Sequence, residues 1–289
     1  MQEFTDIPIS TQTIIAKTNW KVDIASLYNH LPISDYKVIP KKRGRKSKTV
    51  KKEEEQFELL DGQIITLKMG IKLKGVNLKD KKSKRFFRNS LTIVMYLDNK
   101  FINFKVSKNG NFQFTGCKSV THAKICMKHI YDYTRNTSNI ISIIGTPEII
   151  FVPVMTNINF NLGFCINREQ LDDYINSNTD YFSLLETSFG YTGVNIKFPL
   201  NNIDTMPLLK IIYKEEWIEQ DLFFAEYLNT LNEKEKSKEK LKTRYNTFLV
   251  FQSGNVILSS PHKECMINNY NQFTKIISDC RSKIEEKFY

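Results

Sequence analysis

The chain has 289 residues, a formal net charge of +11 and a pI of about 9.2. A chain of this length can bury a large core, and its surplus of lysine and arginine favours an anionic partner: nucleic acid, an acidic protein or a charged membrane surface. A solvated basic surface explains the charge equally well. The five cysteines form no CxxC pair, which argues against a disulfide framework and is typical of free thiols in a reducing compartment.

The N-terminal region lacks the basic and then apolar layout of a signal peptide. We predict a short strand at residues 13–19. We predict a helix at residues 22–31, because Ile24, Leu27 and Leu31 are apolar at helical spacing. Residues 41–52 (KKRGRKSKTVKK) form a charge block that cannot pack in a core, so we expect a mobile loop. Its Arg43-Gly-Arg45 centre is similar to the minor-groove hook of AT-hook peptides, and a nuclear-import signal or a solubilising loop is also compatible with this composition.

Alternating apolar residues predict antiparallel strands through the rest of the first half. The predicted elements are a hairpin at 59–76, strands at 91–97, 101–107 and 111–115, and a helix at 120–133. A second basic run, 79–88, separates the hairpin from the three strands. The next stretch, 140–155, is the most apolar of the chain, but Gly145 and Pro153 interrupt it, so we expect no membrane span and a soluble intracellular protein.

The second half follows the same order of elements. We predict a strand at 152–164, a helix at 168–175, strands at 193–198, 247–251 and 255–259, and a closing helix at 263–286. An extra segment, 199–242, lies between the first two of the later strands. Within it we predict a helix at 213–231, because Ile218, Leu222, Ala225 and Leu228 form an apolar stripe, and a solvated helix end or loop at 233–242.

One short pattern occurs twice. Gly110 and Asn111 open a strand, a small-residue break and a helix, and Gly254 and Asn255 open the same series 144 residues later. A period of about half the chain is too long for a solenoid and predicts two similar halves. We expect a first repeat at 1–149, with a basic insertion at about 41–88, and a second at 150–289, with an insertion at about 199–242. Such a pseudo-twofold protein suits a pseudo-twofold ligand such as duplex DNA.

This repeated order of elements, with Gly-x-x-x-x-[Thr/Ser]-[Gly/Ser]-x-[Lys/His] opening each last helix, resembles the TATA-box-binding protein family, particularly its divergent members in large nucleocytoplasmic DNA viruses. Segments 104–119, 191–198 and 248–258 carry most of the likeness, which covers about two-thirds of the chain. The resemblance implies an α+β saddle, in which two pseudo-symmetric repeats form one curved antiparallel sheet with helices on its convex face.

The resemblance also implies a function. The protein would bind the minor groove of A/T-rich promoter DNA, bend it and nucleate a transcription preinitiation complex. Its partners would be a TFIIB-like factor and RNA polymerase, and it would act as a monomer without a cofactor or a membrane contact. The place of action would be the nucleus, a cytoplasmic viral factory or the virion.

In such a saddle, apolar wedges on the concave face unstack base steps. Strand alternation places five residues of the second half on that face: Tyr191, Leu249, Phe251, Ile257 and Ser259. Tyr191 and Phe251 occupy the two wedge positions. The first half departs from this pattern, because its wedge positions hold Ser90 and Ser107 and its face carries polar residues: Asn103, Lys105, Gln113 and Thr115. Phe87 or Phe86 would substitute for a wedge if the strand began earlier. We therefore expect a kink at the second-half end and a straighter, polar contact at the other.

Further contact residues follow from the same resemblance. The family's minor-groove asparagine corresponds to Thr13 in the first half, whereas Asn157, Asn159 and Asn161 are alternative matches in the second. Basic family positions correspond to Lys118, Lys197 and His262. An arm containing Arg43 and Arg45 would add affinity through counterion release.

Other chemistries have weaker support. His122, Cys126 and His129 share a helix face with metal-ligand spacing, but a fourth ligand is missing, so we expect this face to pack against the sheet. The sequence shows no phosphate-cradling glycine loop, HExxH, GxSxG or paired-carboxylate motif, so we expect no enzyme. The alternative function is an interaction scaffold that has kept the saddle and lost sequence-specific DNA binding, as the polar first-half face and the insertions indicate.

Overall fold

Strands, many of them joined by glycine or asparagine turns, are the most abundant regular secondary structure in this computed structural model. The structure describes residues 2–36, 59–77, 89–185, 193–200 and 203–286. The strands are β1 (Ile9–Thr18), β2 (Trp20–Val22), β3 (Ile64–Met69), β4 (Lys72–Gly75), β5 (Ser90–Leu97), β6 (Lys100–Ser107), β7 (Asn111–Cys117), β8 (Ile141–Ile143), β9 (Glu148–Asn161), β10 (Phe182–Leu185), β11 (Gly193–Pro199), β12 (Pro207–Tyr213), β13 (Trp217–Phe223), β14 (Tyr245–Phe251) and β15 (Asn255–Ser260). The helices are α1 (Ile24–His30), α2 (Val120–Thr134), α3 (Arg168–Asn178), α4 (Phe224–Thr230), α5 (Glu233–Lys240) and α6 (Ile267–Ile284), with 3-10 turns at Phe4–Asp6 and Lys263–Met266.

Thirteen of the strands form one antiparallel sheet. Its order is β10-β11-β14-β15-β9-β1-β7-β6-β5-β3-β4, while β12 pairs with both β9 and β13. The central neighbours are β1 and β9, and the next four strands outward from each follow in reverse chain order on both sides. Strands β2 and β8 form a separate small sheet. The predicted combination of a large antiparallel sheet with helices is therefore confirmed.

Helices α1, α2, α3 and α6 cover one face of the sheet. One core cluster packs α1 and α2 against strand residues such as Phe104 and Phe114, and a second packs α3 and α6 against residues such as Phe248 and Val250. Because strand side chains alternate between faces, the residues between these positions point the other way. We call these two faces the covered face and the open face.

The predicted helix at 213–231 is wrong. Its first part is strand β13, which pairs with β12, and the helix begins only at Phe224. The apolar stripe fits a helix, but β12 also pairs with β9, so the hairpin satisfies its backbone groups by extending the large sheet. The Glu226 carboxylate accepts a hydrogen bond from the Phe223 N–H at 2.8 Å, which fixes the start of α4.

Several other elements differ from the sequence-based expectations. Strand β10 and the small sheet of β2 and β8 were not predicted, because each is only three or four residues long. Residues 233–242 contain a fully formed helix, α5, which begins after the Asn232 side chain caps Glu235 N–H at 2.9 Å. On α2, the structure buries Ala123, Met127 and Tyr131, whereas His129 and Tyr133 are only half-buried.

Candidate nucleic-acid interface

Cross-strand pairing defines the open face of the second half. Asn195 of β11 lies opposite Leu249, Leu249 opposite Ile257, and Ile257 opposite Asn159. Residues directly opposite each other share a face, so this row runs across four strands. A second row joins Lys197, Thr247, Ser259 and Asn157. Phe251 lies on the same face, opposite Gly193, at the end of β14. The structure thus brings together the second-half residues proposed from the sequence, apart from His262, which follows β15, and Tyr191, which lies outside the described residues.

Strand β10 extends this surface with residues that the sequence reasoning missed. Leu184 lies opposite Asn195, and Phe182 opposite Lys197. Both side chains are exposed, at 50% and 58% of their reference areas. The apolar surface around Leu249 and Ile257 therefore continues to the edge of the sheet. The alternation of Phe182 and Leu184 was a signal for this strand, but it is too short to stand out from a loop.

Asparagine side chains line the end of β9 on the open face. The Asn157 amide accepts a hydrogen bond from the Ser259 hydroxyl at 2.8 Å, and the Asn161 amide donates to that of Asn255 at 2.7 Å. Asn159 is exposed between them. Neighbouring side chains thus orient the outer two amides, while the exposed Asn159 amide accepts a longer hydrogen bond from the Ser10 hydroxyl, at 3.4 Å. Amides so placed can accept from and donate to base edges in a minor groove.

Residues 144 apart in the sequence are paired at the centre of the sheet. Gln12 lies opposite Thr156, 144 residues later, and its Nε2 donates to the Thr156 hydroxyl at 3.1 Å. On either side, Thr11 lies opposite Asn157 and Thr13 opposite Met155. Adding 144 to Thr11 gives Met155, and subtracting 144 from Asn157 gives Thr13. The same shift therefore converts the first pair into the second. Thr13 and Asn157, also 144 residues apart, thus each lie one position from this central pair, on β1 and β9.

The open face of the first half is polar. Lys105 lies opposite both Gln113 and Thr92, and Thr92 lies opposite Lys68. Thr115 lies opposite Asn103, to whose carbonyl oxygen it donates at 3.2 Å. Ser90 and Ser107, at the wedge positions of the resemblance, lie opposite each other. The predicted residues Lys105, Gln113 and Thr115 share this face, and Lys68 is an addition from the structure.

The strands along the main path of the sheet, from β10 to β4, carry almost no negative charge. Along the path from β10 to β4, Glu148 is the only acidic residue of the described strands, and its carboxylate lies 2.6 Å from the Lys210 ammonium. The open face instead carries Lys17, Lys68, Lys105 and Lys197. On the described strands of this path, cations therefore outnumber carboxylates, which favours a polyanion over a cationic ligand.

Part of the open face is covered by the chain itself. Phe224, Tyr227 and Leu228 of α4 pack in one buried cluster with Ile150 and Val152. Val152 lies opposite Ile15, and Ile150 opposite Lys17, so both are open-face positions. The insertion thus closes the N-terminal half of β9 and leaves its asparagine-bearing half open. A ligand on this face would pass beside α4.

Lys118 follows β7 and His262 follows β15, and the two side chains differ in their surroundings. Lys118 is exposed, and partial desolvation together with the nearby Lys118 charge lowers the pKa of Lys100. His262 is half-buried, and its Nδ1 accepts the Glu264 N–H at 3.3 Å, capping the 3-10 turn. Burial lowers the pKa of His262, although Glu264 opposes the shift. The imidazole is therefore neutral at pH 7, and its role in the fold is independent of any phosphate.

Acidification is expected to destabilise the protein partly through His262. Since its pKa is below the usual value of about 6.5, the unfolded chain binds this proton more readily, and stability falls as the pH falls through that range. We expect His262→Asn, which keeps a capping acceptor, to lose less stability than the parent protein between pH 7 and pH 5. Urea unfolding at both pH values measures the free energy of unfolding of each protein. If the parent protein and His262→Asn lose the same amount of stability between pH 7 and pH 5, the prediction is contradicted.

Some predicted contact residues lie outside the described part of the chain. These are Tyr191, Phe87 and its alternative Phe86, and the arm residues Arg43 and Arg45.

The proposed histidine and cysteine face has other partners. His122 Nε2 lies 3.5 Å from the Asp98 carboxylate, while its Nδ1 accepts the Lys118 N–H at 3.3 Å. Cys126 is fully buried. The His129 ring stacks on Tyr133. Within the described ranges, no group of three or more His, Cys, Asp or Glu side chains is arranged to hold a metal ion. In the same ranges, none of the helices has the length and apolarity needed to cross a bilayer.

Comparison with known proteins gives limited relationships. No protein-family model matches the chain. It is 28% identical over 188 residues to uncharacterized protein 335L of Invertebrate iridescent virus 6. The aligned region covers 61% of this chain and 56% of that relative. The chain thus spans little more than half the length of this relative. Among solved structures, Methanococcus jannaschii TBP is similar with a TM-score of 0.45 and 16% identity, covering 94% of this chain and 98% of that one.

Proposed function

We propose that this protein binds duplex DNA in the minor groove with the open face of its sheet. The observation that carries the proposal is the composition of that face: an apolar centre at Leu249 and Ile257, a row of asparagines beside it, and lysines on strands whose one described acidic residue, Glu148, is paired with Lys210. Apolar surface fits the floor of a minor groove, amides reach base edges, and lysines reach phosphates. In this proposal the protein is not an enzyme.

We further propose that the sheet is a duplicated saddle whose halves are 1–149 and 150–289. The correspondence between residues 144 apart supports this at the central pair Gln12 and Thr156. It also holds at the turns, because a Cβ on Gly110 would lie 2.2 Å from the Trp20 carbonyl oxygen and one on Gly254 would lie 2.2 Å from that of Phe164. Trp20 and Phe164 are again 144 residues apart. A pseudo-twofold sheet matches the local symmetry of a duplex.

The two halves would engage DNA differently. Phe251 and the exposed apolar residues of β10 provide side chains that can enter between base pairs. The first half offers Lys68, Lys105 and Gln113 instead, which suit phosphates and groove edges but do not unstack bases. A bend concentrated at the second-half end follows from this difference.

Nucleation of transcription is the cellular role that we propose for such binding. The partners would be a TFIIB-like factor and RNA polymerase, engaged by a monomeric protein, in the nucleus, a viral factory or the virion. The relative in an iridescent virus supports a viral setting. The alternative function, a scaffold without DNA binding, is favoured by α4, because this helix narrows the open face.

A fluorescence titration with labelled A·T-rich and G·C-rich duplexes at two ionic strengths distinguishes the two functions. A minor-groove binder is expected to prefer the A·T-rich duplex and to lose affinity steeply with salt. Similar affinities for both duplexes would contradict groove readout. Absence of binding to either duplex at low salt would favour the scaffold.

A further inference from the structure

The insertion hairpin of β12 and β13 is packed on one flank of α2. Lys124 Nζ lies 2.7 Å from the Glu219 carboxylate. Two helical turns further along α2, the Tyr131 ring lies 4.8 Å from the Tyr213 ring and 5.1 Å from the Trp217 ring. Arg135 Nη1 donates to the Tyr213 hydroxyl at 3.3 Å. A stripe of residues at 124, 131 and 135 on α2 is thus occupied by aromatic and acidic side chains of the same chain.

Among the described residues, no hairpin packs on the corresponding stripe of α6. Adding 144 gives Asn268, Lys275 and Asp279, and all three are exposed. Beside them runs a groove of about 470 Å³ between α6 and the N-terminal segment. Phe4, Ile267, Tyr270 and Thr274 are among its lining residues. Ile267 is 42% exposed, while its counterpart on α2, Ala123, is completely buried.

The groove itself is preformed. The Phe4 ring lies 5.3 Å from that of Tyr270, whose hydroxyl donates to the Gln2 carbonyl oxygen at 2.7 Å. Lys263 Nζ donates to the Ile7 carbonyl oxygen at 2.7 Å and lies over the Phe4 ring. These contacts hold the N-terminal segment against α6, so that one wall of the groove has defined geometry before anything enters it.

We propose that this groove is the docking site for an extended segment of a partner protein that carries an aromatic anchor and a neighbouring carboxylate. The occupied flank of α2 shows the chemistry that covers such a position: Tyr213, Trp217 and Glu219 from one hairpin. On α6 the exposed Lys275 stands where Tyr131 receives those rings. An ammonium at that point attracts both an aromatic face and a carboxylate, while Phe4 and Ile267 accept apolar surface.

The charges around the groove limit what can enter. Glu3 lines the opposite wall and Asp279 lies at the far end of the stripe, so a uniformly acidic segment would be repelled. One carboxylate near Lys275 beside an aromatic ring is the pattern that fits. The groove lies on the outer side of α6, behind the covered face. Because DNA would bind on the open face, a partner in the groove and a duplex could be bound at the same time. Partner binding in the groove therefore does not require DNA binding.

The first test uses a fluorescent peptide with the sequence of residues 207–223, which contains Tyr213, Trp217 and Glu219. Titrated with the full-length protein, it is expected to bind with a dissociation constant below about 1 mM. Lys275→Glu should weaken binding about tenfold or more, because the reversed charge repels the carboxylate and no longer attracts the rings. A peptide with Tyr213→Ala and Trp217→Ala should not bind.

A matched variant separates the new site from exchange at the occupied one. Lys124→Glu alters the same stripe on α2 and should leave peptide affinity unchanged within about twofold. Nuclear magnetic resonance of labelled protein should show the largest shifts at α6 and the N-terminal segment. Shifts confined to α2, sensitivity to Lys124→Glu alone, or no binding of the parent protein up to about 1 mM would each overturn the proposal.

Discussion

Alanine at Gly254 or Gly110 is expected to lower the free energy of unfolding by about 2–5 kcal/mol in each case. Both glycines have positive φ, +76° and +70°, where an L-residue pays about 1–2 kcal/mol. In addition, an added Cβ would lie 2.2 Å from a carbonyl oxygen, that of Phe164 or Trp20. Backbone atoms cannot rotate away as a side chain can, so the turn and the following strand must shift.

Two other glycines provide the control. Gly116 and Gly163 have φ of +82° and +85°, but no atom lies within 4 Å of a Cβ built on them. Alanine there should cost only the backbone strain, about 1–2 kcal/mol. Urea unfolding of the four variants measures the difference. If all four variants lose the same free energy of unfolding, the contact between the added Cβ and the carbonyl oxygen does not contribute to the loss. Very unequal losses at Gly110 and Gly254 would contradict the equivalence of the two turns.

Reversing the charge of both Lys105 and Lys197 is expected to weaken duplex binding by about 30-fold or more near 0.15 M salt. The two lysines lie on the open faces of the two halves, so the change removes a cation at each end of the proposed interface. Each lost phosphate contact should reduce the slope of log affinity against log salt by about 1, giving a total change of about 2. The titration is that of the parent protein, repeated at several salt concentrations.

Lys128→Glu is the matched control for this experiment. Lys128 lies on α2, on the covered side of the sheet, so its reversal changes the net charge without touching the open face. If Lys128→Glu weakens binding by half as much, in free energy, as the reversal of Lys105 and Lys197, DNA affinity depends on the net charge of the protein and not on the open face. Equal salt slopes for all proteins would mean that the two lysines make no phosphate contact. Circular dichroism should show that each variant keeps its secondary structure.

Local patterns predicted much of this fold. The strands at 91–97, 101–107 and 247–251 and the helix at 120–133 are confirmed within one or two residues, because strict alternation and helical spacing each bury one side of an element. The turns at Gly110 and Gly254 were also visible, since positive φ favours glycine and the same Gly-Asn pair occurs in both. Alternation likewise indicated that Leu249, Ile257 and Phe251 point the same way.

Failures of the sequence-based reasoning came where distant contacts decide. Residues 213–223 have a helix-compatible stripe, yet pairing between β12 and β9 holds them as a hairpin. Strand β10 is only four residues long, and its pairing with β11 makes it part of the open face. No periodicity could show that α4 packs over Ile150 and Val152, because these partners lie more than seventy residues away in the sequence.

The amino-acid sequence by itself determined the positive charge, the alternation of most strands, the two glycine turns and the 144-residue correspondence, because each depends on residue type or on neighbours a few positions apart. Only the tertiary structure decided that Gln12 pairs with Thr156, that α4 covers part of the open face, and that the β12–β13 hairpin packs on the flank of α2. The physical reason is that strand register and helix docking depend on which long-range partners satisfy backbone groups and bury apolar surface, and local spacing carries no information about those partners.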